Sequence, residues 1–226
     1  MKLNYWPIIL PALAVILSFS GLLIWRQTRI IGFGLLLSFS GAFLLGLTLF
    51  ELLPEAYELG NPKITGAFIA LGILLQLILE YFSKGAEHGH VHLTTGKQFP
   101  WLLLCSLCLH AFIEGIPLSQ NTHFMWGIIV HKIPVALILG TFILNSGLSL
   151  RSSWGFIVLF ALMTPSGALL GSLTGISFLY PYLVALVIGV VLHVATVILF
   201  ESSEGHTLPW RKLAVIILGM VLGYFL

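Results

Sequence analysis

Eight apolar runs, each close to the roughly 20 residues that a helix needs to cross the hydrocarbon core of a bilayer, occupy most of this chain. They fall at about 7–25, 30–53, 63–82, 100–120, 124–147, 154–174, 179–200 and 209–226. Only 8% of the residues are charged and Asp is absent, whereas a soluble domain carries about 25% charged residues. Lipid must therefore solvate this surface. The expectation is an all-α membrane protein, an eight-transmembrane-helix bundle forming one domain over residues 1–226.

Lys and Arg are retained on the cytoplasmic side of a membrane, which orients the bundle. With the N-terminus outside, the inner loops hold seven of these residues: Arg26, Arg29, Lys84, Lys97, Arg151, Arg211 and Lys212. The outer face holds two, Lys2 and Lys63. Both termini are expected to be extracytoplasmic, and the plasma (inner) membrane is the expected location. All six Trp and all six Tyr fall near proposed helix ends, where amphipathic rings suit the headgroup region. The first run lacks a small-residue cleavage pattern and is followed by Arg26, so it reads as a retained helix.

Helices two and seven end alike, in LFELLPE (49–55) and LFESSE (199–204), on opposite sides by the charge-derived topology. That pattern fits an inverted repeat of helices one to three and six to eight around helices four and five. Small residues such as Gly32, Gly34, Gly41 and Gly46, and the row Gly167, Gly171 and Gly175, allow close helix approach. The loop at 83–99 carries His88, His90 and His92, a weaker metal-binding candidate on the cytoplasmic side.

Chemistry concentrates in helices four and five. A charged residue at mid-bilayer depth costs about 2.5–3.5 kcal/mol and normally faces a cavity or a pathway. Ser106, His110 and Glu114 lie at i, i+4 and i+8 on one helical face. Counting back from the turn near Asn121–His123 puts His131 of helix five at similar depth to Glu114. Imidazole nitrogen with carboxylate oxygen suits Zn²⁺, and also Fe²⁺, Mn²⁺, Cd²⁺ or Ni²⁺. Three protein ligands leave open positions, as an exchangeable ion needs. Pro117 and Pro134 free carbonyls one turn earlier, at Ile113 and Val130. Cys105 and Cys108 form a CxxC, but Cys108 sits roughly 160° around the helix from His110 and reads as packing.

At these residues the chain resembles the ZIP family of divalent-metal permeases. HAFIEG (110–115) is similar to the family's helix-four signature, and HKIPVALILG (131–140) to its helix-five signature. LFELLPEA (49–56), the His-bearing loop and TPSGALLG (164–171) also fit. The resemblance implies uptake of a divalent metal toward the cytoplasm, a transport site between helices four and five, a homodimer, and elevator-like motion of one helix group against the other. Family members with two metals carry further ligands where this chain has Ala111, Lys132, Val135 and Thr164. The Lys132 ammonium repels a second cation. A single-metal site of His110, Glu114 and His131 is therefore expected.

The expected function is a divalent metal transporter, most readily for Zn²⁺ as the transported substrate, working by alternating access and not as an enzyme. Glu51, Glu55 and Glu58 would gather cations outside; Glu201, Glu204, His206 and the loop histidines would receive them inside. Uptake should fall as the medium acidifies, since protons compete at imidazole. Two other classes use the same trio: an intramembrane zinc-dependent hydrolase, and a metal-sensing membrane protein without flux. No nucleic-acid partner is expected.

Overall fold

The computed structural model describes residues 6–25, 32–83, 101–201 and 209–226. All secondary structure among them is helical, in eight rods. These are α1 (Trp6–Trp25), α2 (Phe33–Leu59), α3 (Pro62–Ser83), α4 (Trp101–Ser119), α5 (Thr122–Asn145), α6 (Leu150–Gly171), α7 (Tyr180–Glu201) and α8 (Trp210–Phe225). Six of them, α2 to α7, are long and apolar enough to cross a membrane. The loop histidines His88, His90 and His92, together with Glu204 and His206, lie outside the described residues. So does the end of LFESSE, the second half of the repeat signature.

Two boundaries differ from the hydropathy reading for local reasons. Helix two was expected to stop at residue 53, before Pro54, yet α2 runs on to Leu59. A π turn, Thr48–Leu52, ends two residues before Pro54. Proline removes one donor and crowds the carbonyl four residues back; widening that turn accommodates the ring without ending the rod. Helix six starts at Leu150, not 154, because Ser149 caps it: its hydroxyl accepts from the Ser152 N–H at 3.2 Å.

The surface is inverted relative to a water-soluble protein. Large apolar side chains point outward, such as Leu17, Ile24, Leu74, Tyr81, Phe200 and Phe225, while His110, Glu114, His131, Lys132 and Gln76 are buried. Trp6, Trp101 and Trp210, at rod ends, are exposed, as an interfacial belt requires.

The rods pack as two groups of four. In one, α1 contacts α5 and α6, and α4 lies along α6; its core joins Val15 and Phe19 of α1 to Leu107, Ala136, Leu139, Phe156 and Phe160. In the other, α3 packs on α7 and α2 on both α7 and α8. The groups meet where α2 touches α5 and α3 touches α4. A second apolar cluster, from Leu44 and Leu47 through Ile116, Phe124 and Ile128 to Val187 and Val191, fills that seam.

Glycines set the closeness of two contacts. A Cβ at Gly167 or Gly171 of α6 would strike the carbonyl oxygens of Phe112 and Ile116 on α4, and one at Gly115 would strike Thr164. On the other side Gly72 of α3 and Gly189 of α7 face each other in the same way. Gly175, expected to extend the α6 row, belongs instead to a 3-10 turn beyond that helix. Gly167→Ala should therefore cost about 1–3 kcal/mol through overpacking, read as earlier thermal unfolding in detergent. Gly155→Ala, where a methyl meets nothing, should leave the midpoint unchanged or slightly higher.

Candidate metal centre

The α4 face predicted from spacing is buried: Ser106, His110 and Glu114 are each no more than 3% exposed. His131 projects toward it from α5, also buried, with its ring centroid 6.4 Å from that of His110. One ligand atom from each of His110, Glu114 and His131 can be chosen so that all lie within 4.8 Å of one another. Two antiparallel helices and a tight turn suffice for this. The α4 helix ends at Gly115 and tightens into a 3-10 turn, Ile116–Ser119. Pro117 sits in that turn's first positions, where a missing N–H is tolerated, rather than kinking a continuing α-helix.

The turn is held from two sides. Asn121 caps α5 by accepting from the Phe124 N–H at 2.9 Å, and its amide donates to Glu55 Oε2 at 3.2 Å. Asn121→Ala removes both bonds and should cost about 1 kcal/mol in stability, measurable as a lower unfolding midpoint. Glu51 and Glu55 therefore sit at the end of the bundle that carries the α4–α5 turn. Glu51 Oε1 lies 3.9 Å from His123 Nδ1, and His123 also contacts the Leu226 carbonyl, so the chain's last helix ends there too. Neither glutamate joins the three-residue cluster. Glu201 lies at the last position of α7.

Four neighbours of the cluster decide its chemistry. Gln76, on α3 and fully buried, places Oε1 3.1 Å from His110 Nδ1. With the Gln76 oxygen as acceptor, the proton sits on Nδ1 and the Nε2 lone pair is left for a ligand role. That nitrogen points at Glu114 Oε2, 3.3 Å away. A lone pair facing a carboxylate oxygen in a buried space is an arrangement suited to a cation held between them. Glu114 Oε1 is engaged differently: the Lys132 ammonium is ion-paired to it, and the Thr164 hydroxyl lies 3.5 Å off while donating to the Ala111 carbonyl at 3.0 Å. Phe160 lies beneath the ammonium, its centroid 4.4 Å from Nζ.

Spacing on α4 and α5 located the trio but missed Gln76. A lone Gln in helix three is legible as a buried polar residue in an apolar run, yet nothing in the sequence pairs it with a histidine 34 residues later. The partner of His193 was missed in the same way. His193 Nε2 lies 2.5 Å from Glu80 Oε2, joining α7 to α3. Cys105 is exposed and Cys108 packs against the apolar core beside α1 and α6, away from the cluster face.

A family model described as ZIP Zinc transporter matches residues 83–226, more than half of the chain and all of α4 and α5. No curated protein matches the chain significantly. The family is one of transporters, not enzymes, and with six long apolar helices it makes this a multi-pass membrane protein whose substrate is a divalent metal ion. On the matched residues, the chain belongs to the ZIP zinc transporter family.

Proposed function

We propose that the protein carries a divalent metal ion, Zn²⁺ foremost, toward the cytoplasm through one core site formed by His110, Glu114 and His131. The observation that carries this reading is the convergence of three buried ligand-type side chains within 4.8 Å, deep in a bundle whose outer faces are apolar. An open three-ligand set suits an ion that must leave again. One metal is bound at a time, because Lys132, Thr164, Val135 and Ala111 occupy the places where two-metal relatives carry further ligands.

The division into two helix groups supports alternating access. All three proposed ligands, with Lys132 and Thr164, belong to the group α1, α4, α5 and α6, so that group can carry an intact site past the other. Glu51 and Glu55 lie on the entry side in this reading, at the outer end of the bundle. Glu201, Glu204, His206, His88, His90 and His92 lie on the exit side. Both termini are then extracytoplasmic.

The test is uptake of radioactive zinc by proteoliposomes holding purified protein, with competing Fe²⁺, Mn²⁺, Cd²⁺ and Ni²⁺ to rank substrates. Time-dependent uptake above protein-free vesicles is expected. Metal binding without any flux would instead make the protein a sensor and overturn the reading.

A further inference from the structure

We propose that Lys132 acts as a built-in second cation for the core site. It shares the Glu114 carboxylate with the transported ion, holds that carboxylate to a single donor oxygen, and so keeps binding weak enough for release. The inference rests on the single-metal reading above and concerns what sets the affinity of that site.

The geometry divides the carboxylate. Oε2 faces the imidazole Nε2 of His110 at 3.3 Å and, among the described residues, is buried with no hydrogen-bond donor. Oε1 is engaged by the Lys132 ammonium and the Thr164 hydroxyl. An ion between the imidazoles therefore meets one oxygen, while the second is already taken. Lys132 is 1% exposed, so water screens its charge poorly and its effect on a nearby divalent ion is strong. Its position is also fixed from below by the Phe160 ring, which stabilises an ammonium electrostatically and blocks its withdrawal in that direction.

Charge arithmetic shows the direction. The carboxylate and the ammonium cancel, and the imidazoles are neutral when they serve as ligands. A divalent ion entering beside Lys132 leaves two positive charges uncompensated in a water-poor interior; without the ammonium only one remains. The lysine thus lowers affinity twice, by repulsion and by restricting Glu114 to monodentate contact. Neither effect needs Lys132 to change its protonation.

Binding of Zn²⁺ to the purified full-length protein, by competition with a fluorescent chelator, and concentration-dependent uptake in proteoliposomes test this together. Lys132→Met should tighten Zn²⁺ binding by about tenfold or more and lower the maximal uptake rate, because release slows. Structural damage would weaken both instead. Lys132→Arg keeps the charge and offers a fork that can grip both oxygens, so it should bind Zn²⁺ more weakly than the parent. Thermal unfolding with and without Zn²⁺ adds a reading that does not need transport: Zn²⁺ should raise the midpoint of Lys132→Met more than that of the parent. Unchanged or weaker binding in Lys132→Met, or tighter binding in Lys132→Arg, overturns the proposal. If the parent binds Zn²⁺ through Glu114 and His131 while both Lys132 variants match it, this inference alone falls. If the parent binds no metal, the site reading falls first.

Discussion

Zinc uptake should drop by at least on the order of 100-fold when either Glu114 or His131 is replaced by alanine, since loss of a mere outer partner of a metal ligand already costs 10–100-fold. Glu114 calls for a control, because it does two jobs. It belongs to the three-residue cluster and it neutralises Lys132. Removing one member of a buried ion pair costs roughly 3–5 kcal/mol by leaving the other charge uncompensated. Glu114→Gln alone should therefore unfold early as well as fail to transport. In the double variant Glu114→Gln with Lys132→Met the orphaned charge is gone, so the unfolding midpoint should recover while uptake stays lost. Recovery of both would mean that the glutamate serves stability only. Retention of parental uptake in His131→Ala would remove the second helix from the site.

The second large effect is expected at Gln76. Its Oε1 lies 3.1 Å from His110 Nδ1, and on the proposed reading it orients the imidazole so that Nε2 meets the ion. Gln76→Leu should weaken zinc binding by about 10–100-fold, the usual consequence of losing the hydrogen-bond partner of a metal-binding histidine. Gln76→Glu retains an acceptor oxygen and should recover most of the affinity. Equal losses in both variants would point to packing at the α3–α4 contact, not to orientation of the imidazole. The hydrogen bond also crosses from one helix group to the other, so a sliding motion between the groups must remake it.

Much of the rod pattern was legible along the chain. Lipid demands long apolar runs, so the rods follow from hydropathy to within a few residues, apart from the extension of α2 past Pro54. There the apolar run stops at residue 53, while a π turn lets the helix continue through Pro54. The face shared by Ser106, His110 and Glu114 was equally legible, because helical periodicity alone puts i, i+4 and i+8 together. His131 followed from counting back from a short turn. These are local relations, governed by rise and rotation per residue.

What lay beyond local reach was everything contributed by other rods. Gln76 to His110 and His193 to Glu80 each join helices distant in sequence, and in a chain this apolar no charge pattern announces such partners. Lys132 was read as a repulsive neighbour of a second ion; which oxygen of Glu114 it holds depends on how α4, α5 and α6 meet. The α4–α6 part of that meeting is set by Gly115, Gly167 and Gly171, which let backbone approach backbone. By itself, then, the amino-acid order determined that this protein lives in lipid, where its helices run, and that Glu114 and His131 share one depth, a turn from His110. Only the tertiary structure decided how the rods divide into two groups and how the carboxylate splits its oxygens, because those depend on side-chain fit between helices rather than on the period within one.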